Sequence, residues 1–212
     1  MSFANLKISR KLGLGFAAVV AALLVMSAAI LWNIQRLEQA VEIEASAARA
    51  IDEIAAAEFR LGRQENSYRG FLLTNENYYL ERVDTHRAAF DTHMQNLREW
   101  QAGAADEVAV AEQIETANAA MNVWKAEVVD AGVKLMKDPI MRFRAIEMVG
   151  RNGTADGVME QVENALAALQ ENERAKGAAA TAAREAAQAF TSKVVYAGVC
   201  GAVMIALLLG FM

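Results

Sequence analysis

Two uncharged runs frame the chain, and between them hydrophobic and polar residues repeat with a helical period. Gly13 to Trp32 (GLGFAAVVAALLVMSAAILW) is twenty residues without a charge, and Val194 to Met212 (VVYAGVCGAVMIALLLGFM) is nineteen more. At about 1.5 Å per residue each matches a hydrocarbon core of about 30 Å, so both are expected to be transmembrane helices. Trp32 and Tyr196 suit the water–lipid interface. A cleaved signal peptide is the competing reading of the first run, with Ser27, Ala28 and Ala29 as its cleavage site. The run is longer than the usual h-region, which favours an uncleaved span.

Between the runs, the pattern predicts four helices. Ile34, Leu37, Val41, Ala48, Ile51, Ala55, Gly62 and Leu72 form one stripe with no breaker before Asn75, so helix one continues out of the first span. Tyr79, Val83, His86, Phe90, Met94 and Leu97 define helix two, which ends near Trp100 before the turn Ala102-Gly103-Ala104-Ala105. Asp106 is the expected N-cap of helix three, where Ile114, Ala117, Met121, Trp124, Val128, Ala131 and Leu135 make an unbroken heptad seam. Asp138-Pro139 ends it and starts a short helical excursion to Val149, followed by the turn Gly150-Arg151-Asn152-Gly153. Thr154 or Asp156 caps helix four, whose stripe is Val158, Val162, Ala165, Leu169, Ala179, Ala183 and Ala186 or Ala187, with Asn172 and Lys176 as polar gaps. No breaker separates it from the second span.

The chain has one proline, no alternating β-branched runs, and an abundance of good helix formers, so the class is all-α. Helices one (33–73) and four (154–193) reach about 60 Å, and helices two and three about 40 to 48 Å. These lengths predict an antiparallel four-helix bundle outside the membrane, flanked by two transmembrane helices continuous with its first and last helices. They also predict a two-helix stalk pairing "ASAARAIDEIAAAEF" from Ala45 with "GAAATAAREAAQAF" from Gly177.

Charge orients this arrangement. Lys7, Arg10 and Lys11 precede the first span and no acid appears before Glu38, so the N-terminus is expected in the cytoplasm. The domains are then 1–12 (cytoplasmic), 13–32 (first span), 33–193 (outer domain) and 194–212 (second span, within which the chain ends). With the three leading cations set aside, 18 basic residues face 26 acidic ones in 33–193, a net charge of −8. An acidic exterior argues against nucleic acid as a partner. The single cysteine, Cys200, lies in the second span and reads as small apolar packing.

Little in the outer domain suggests chemistry. His86 and His93 are seven residues apart, about 10 Å along a helix, too far to share one metal ion unaided. There is no HExxH, cysteine cluster, phosphate-binding glycine loop or nucleophile elbow. No enzymatic activity, metal or cofactor is expected. Glu58, Glu65 and Asn66 fall near the helix-one stripe as polar layers that set register, or as ordinary exposed residues.

The basic lead "LKISRKLGLGF", the stretch "RGFLLTNENYYLERV", the helix-four stretch "VMEQVENALAALQENERA" and a second span together resemble the N-terminal half of a bacterial methyl-accepting chemotaxis receptor. The outer domain resembles the third CHASE class of four-helix sensor domain. In that class the tip commonly reads Arg-Gly-aromatic-Leu-Leu-Thr-Gly, an acid, then Tyr-Leu; Arg69, Gly70, Phe71, Leu72, Leu73, Thr74, Glu76, Tyr79 and Leu80 match, and Asn75 departs by replacing glycine. The resemblance implies a two-pass protein of the bacterial inner membrane with residues 33–193 in the periplasm. It also implies a homodimer whose methylated hairpin, and contacts with a chemotaxis kinase and adaptor, would lie after Met212. The motif serves other outputs too, so the input domain of a sensor histidine kinase or cyclase is an alternative, as is a structural membrane-anchored bundle.

For ligand binding, the topology brings Tyr68–Tyr78 and Asp138–Thr154 to one membrane-distal end. Arg69, Tyr78, Arg142, Arg144, Arg151 and Asn152 are therefore the candidate ligand residues, with guanidinium groups suited to a small carboxylate; the partner is a small-molecule ligand or a binding protein. The competing reading pairs Arg69 with Glu65 one turn earlier and leaves the others to solvate a loop.

Overall fold

The computed structural model describes residues 8–103 and 106–210, which are helical with short turns and contain no strand. Lys7 of the basic lead, Ala104 and Ala105 of the expected turn, and Phe211 and Met212 lie outside the described residues. The order is α1 (Ile8–Thr74), α2 (Asn77–Trp100), α3 (Glu107–Val123), a π-helical stretch (Trp124–Asp130), α4 (Ala131–Met136), α5 (Arg142–Met148) and α6 (Thr154–Gly210). These form two compact units: α1 up to Ala45 with α6 from Gly177, and Ser46–Lys176.

In the first unit the two helices run antiparallel. Asn33 is 2% exposed, and its Nδ2 donates to the Ala187 carbonyl at 2.6 Å and to Thr191 Oγ1 at 2.7 Å. Arg184 Nη1 lies 3.3 Å from Glu44 Oε2. Ala40, Ala180 and Ala187 are buried, as suits helices in close contact, and a Cβ on Gly198 would overlap the Met26 side chain. Phe16, Leu24, Val25, Val199, Met204 and Leu207 remain exposed. α1 and α6 each contain a stretch long and apolar enough to cross a membrane.

The second unit holds the core. α1 supplies Ile54, Leu61, Tyr68 and Phe71; α2 supplies Val83, Phe90, Met94 and Leu97. From Ile114 to Val128 the third segment fills the centre with Ile114, Met121, Trp124 and Val128, and α6 closes it with Val158, Val162, Leu166 and Leu169. His93 Nδ1 lies 2.7 Å from Glu53 Oε2, so α2 runs back along α1 well past the hairpin turn. The expected two-helix stalk is accordingly shorter: Ala50, Ile54 and Ala57 belong to this core, and Gly177–Phe190 lies in the first unit opposite residues 33–44.

Three registers differ from the sequence pattern, each by one residue. On α1 the buried line is Asn33, Ala40, Ala47, Ile54, Leu61 and Tyr68, while Ile34, Val41, Ala48 and Ala55 are exposed. The seam opens with the polar or small Asn33, Ala40 and Ala47 beside the larger Ile34 and Val41, so a stripe started from those two runs one residue off and misses Ile54, Leu61 and Tyr68 farther along. On α6, Glu173 sits on the seam at 1% exposure and the line continues through Ala180 and Ala187, not Ala179 and Ala183. In the third segment the seam holds through Val128, after which Gly132 and Met136 are buried where Ala131 and Leu135 are expected. The π-helical turn explains this shift, because an i→i+5 turn takes up one extra residue.

The caps also differ in detail. Asp106 stands at the head of α3 but makes no side-chain cap; its Oδ2 accepts from Asn172 Nδ2 at 2.7 Å and lies 2.7 Å from Lys176 Nζ. Asp138 Oδ1 accepts the Ile140 amide at 2.9 Å, and the helix after Pro139 is delayed to Arg142. Of the proposed register residues, Glu58 and Asn66 are exposed and Glu65 is half-buried. On α1 Gln64 is fully buried, and its amide finds no hydrogen-bond partner among the described residues.

Candidate functional site

The α1–α2 hairpin turns on Asn75, whose φ of 60° is in the left-handed region that asparagine tolerates better than most residues. Its amide closes the last turn of α1 on the Phe71 carbonyl at 2.7 Å. Thr74 Oγ1 donates to the Gly70 carbonyl at 2.9 Å and accepts the Glu76 amide at 3.3 Å. Gly70 admits Tyr79: a Cβ there would come within 2.5 Å of the ring. Tyr78 and Tyr79 meet edge to face at 5.3 Å.

Below this turn a groove of about 460 Å³ opens between α1 and α2, lined by Arg63, Asn66, Ser67, Tyr78, Tyr79 and Arg82. Arg82 lies across its α2 side, with Nη1 donating to Tyr78 Oη at 3.4 Å and Nη2 3.3 Å from His86 Nε2. With Arg82 as donor, the neutral imidazole carries its proton on Nδ1. His86 is only 5% exposed. Burial lowers its affinity for a proton, and Arg82, Arg63 and Arg60 lower it further. No ion pair engages Arg60, Arg63 or Arg82 among the described residues; Arg60 and Arg63 lie over the Phe59 ring at 5.7 and 6.0 Å.

A second, apolar groove of about 250 Å³ is lined by Arg69, Leu72, Leu73, Ile146, Val149 and Gly150. Here the cation is compensated: Arg69 Nη2 is 3.4 Å from Glu65 Oε1. Burial raises the Glu65 proton affinity; Arg69 opposes the shift, and the carboxylates of Glu163 and Asp156 reinforce it.

The six candidate ligand residues are thus divided. Arg69 faces α5 and the following loop, whereas Tyr78 belongs to the α1–α2 groove. Arg142 Nε donates to the Met136 carbonyl at 3.2 Å, tying α5 to the end of α4. Arg144 and Arg151 are exposed, and Asn152 takes a φ of 64° in the turn before α6. Sequence reasoning passed over Arg60, Arg63 and Arg82. One signal was available: unlike Arg69 with Glu65 or Arg87 with Asp91, none of the three has an acid three or four residues away.

The other polar cluster ties the α2–α3 turn to α6. Lys176 Nζ donates to Gln101 Oε1 at 3.0 Å and Glu173 Oε1 at 2.6 Å. Burial alone would raise the Asp106 proton affinity, but hydrogen bonds from Lys176 and Asn172 hold it below the ordinary carboxylate value. Among the described residues no group of three or more His, Cys, Asp or Glu side chains could hold a metal ion.

Compared with known families, residues 33–183 match the CHASE3 domain. Neither the curated proteins nor the solved structures returned a match.

Proposed function

The chain belongs to the CHASE3 domain family, and from that premise we propose that it is the transmembrane input module of a bacterial chemotaxis receptor of the methyl-accepting class. CHASE3 is a sensory extracellular input domain of chemotaxis receptors and histidine kinases. The observation that carries the reading is its position: the matched residues 33–183 lie between two stretches that are each long and apolar enough to cross a membrane. The basic lead and the glycine-rich approach to the first stretch favour chemotaxis over a kinase.

In this reading the protein is a two-pass, non-enzymatic component of the inner membrane, N-terminus inside and residues 33–193 in the periplasm. The second unit is an antiparallel four-helix bundle, supported by a core drawn from α1, α2, the α3–α4 segment and α6. The active form is a homodimer. Its support is the stripe Ile34, Val41, Ala48 and Ala55, which recurs every seven residues on α1 and stays exposed in the single chain. Such a heptad repeat suits a second helix of the same kind.

Signal passage follows from α6, which runs without a break from Thr154 to Gly210. A ligand that prefers one packing of the sensor over another can shift this helix by about 1 to 2 Å. The coupling available is about 1 to 3 kcal/mol, enough to bias a bistable partner. The test is a chimera joining this chain to the cytoplasmic half of a characterised chemotaxis receptor. Ligand-dependent control of kinase activity in the receptor-bearing cells supports the reading; a chimera that assembles, contacts the kinase and ignores every stimulus sensed by the parent cells overturns it.

A further inference from the structure

We propose that the α1–α2 groove lined by Arg63, Asn66, Ser67, Tyr78, Tyr79 and Arg82 binds a small organic acid bearing two carboxylates. The proposal rests on the sensory reading and names the ligand class of the module.

Local charge is the first argument. The outer domain carries a net charge of −8, yet Arg63 of α1 and Arg82 of α2 line one groove, and neither has an ion-pair partner among the described residues. Arg82 contacts the buried His86 at 3.3 Å, and its charge, with those of Arg63 and Arg60, disfavours a proton there. An acidic protein that leaves two guanidiniums unpaired along one groove has left a site for negative charge.

Donor geometry and size define the anion. Arg63 and Arg82 stand on different helices across the groove, so two carboxylates on one molecule can each meet a guanidinium fork. Asn66 and the Tyr78 hydroxyl add neutral polar groups, and the Tyr79 face offers contact for a short carbon body. Ser67 Oγ already donates to the Arg63 carbonyl at 2.8 Å, which leaves the hydroxyl oxygen as an acceptor. A volume of about 460 Å³ exceeds the needs of a single inorganic ion and suits a small organic molecule. The Arg69 groove lacks these features, being mostly apolar and already furnished with Glu65 as counter-charge.

Binding at this place also acts on the hairpin. A ligand held by both helices draws α1 and α2 together just below the Gly70–Tyr79 contact, which couples the site to the packing of the core.

The test uses the full chain in lipid nanodiscs, titrated with succinate, malate and citrate, and with inorganic phosphate for comparison. Calorimetry is read beside the proton NMR titration of His86. One or more of the dicarboxylates or citrate is expected to bind, and to move the His86 midpoint upward. Arg63→Gln with Arg82→Gln is expected to lower affinity at least tenfold and to raise the His86 midpoint without ligand. Arg82→Lys, which keeps the charge but loses the fork, is expected to bind more weakly than the parent and more tightly than the double variant. Binding that weakens as sodium chloride is raised is part of the same expectation. Absence of binding by all three acids, equal binding by the double variant, or phosphate binding as tightly as the organic acids overturns the proposal. Binding is read without any output domain, so a negative result removes the ligand class and leaves the input-module reading to its own test.

Discussion

Tyr68 Oη lies where a side chain on Gly132 would have to go. The ring is buried between Phe71 and Trp124, at centroid distances of 6.3 and 6.0 Å, and the hydroxyl donates to the Val128 carbonyl at 2.8 Å. A Cβ on Gly132 would overlap the Tyr68 hydroxyl, so the glycine, the tyrosine and the π-helical turn between Val123 and Ala131 form one fitted arrangement. Burial pushes the phenol's proton affinity up, and Asp130 adds to the shift, so the hydroxyl stays a donor throughout the physiological range.

Gly132→Ala is therefore expected to destabilise the second unit by about 1 to 3 kcal/mol through overpacking. Tyr68→Phe removes one of two donors to the Val128 carbonyl, which keeps the Ala131 amide, and is expected to cost about 0.5 to 1.5 kcal/mol. The two together are expected to cost less than their sum, because removing the hydroxyl makes room for the methyl group. Thermal unfolding followed by circular dichroism measures all three; additive losses would show that the residues do not share the space.

At the hairpin, Gly70→Ala puts a methyl group against the Tyr79 ring and is expected to lower stability by about 1 to 2 kcal/mol. Asn75→Gly, at a φ of 60°, is expected to be near neutral, while Asn75→Val is expected to cost about 1 to 2 kcal/mol. The same melting experiment decides it, with Asn75→Gly as the control for the turn.

Lys176→Met removes the cation that sits 2.6 Å from Glu173, itself 1% exposed, and is expected to cost about 3 kcal/mol by leaving a buried carboxylate unpaired. Glu173→Gln in the same background is expected to recover part of the loss. If the single variant melts with the parent, the buried pair contributes nothing to stability.

Acid should weaken the fold through His86. The unfolded chain takes the proton near pH 6.5, whereas burial and the three arginines hold the folded histidine below that value. The resulting stability is present above the ordinary histidine value and is lost as pH falls toward the folded one. His86→Gln is expected to flatten that part of the profile, measured as melting temperature against pH between 7.5 and 5. Asp106 adds a loss of the same sign at lower pH, below the ordinary carboxylate range.

Cysteine cross-linking separates the two stripes of α1. Ala48 is exposed and Ala47 is buried, one residue apart. In a homodimer packed on the exposed stripe, Ala48→Cys in membranes is expected to give oxidised dimers and Ala47→Cys none, with native Cys200 replaced by Ala in both. Equal cross-linking would move the interface off this face.

Much of the chain was legible because helices announce themselves by composition and breakers. The single proline, Asn75, and the Gly150–Gly153 turn each mark a helix end that the structure has within a few residues. The buried positions of α2, Val83, His86, Phe90, Met94 and Leu97, follow the helical spacing directly because a large side chain, the His86 ring included, stands at every step. On α1 and α6 that condition fails. Asn33, Gln64 and Glu173 occupy seam positions, and the large side chains Ile34 and Val41 stand beside the seam.

The candidate site shows the same division. Arg69 with Glu65 was readable as a pair one turn apart, since helix geometry fixes such neighbours. Arg63 and Arg82 are nineteen residues apart, and nothing local joins them; the hairpin and the register of α1 on α2 do. By itself, then, the sequence determined an all-helical chain with two membrane-length apolar stretches, because hydrophobic length and period are properties of one segment. Only the tertiary structure decided which stripe of α1 is buried, where the π-helical turn shifts the seam, and which cations stand together. Each of these depends on what a second helix places opposite, and a slip of one residue turns a helix face by about 100°.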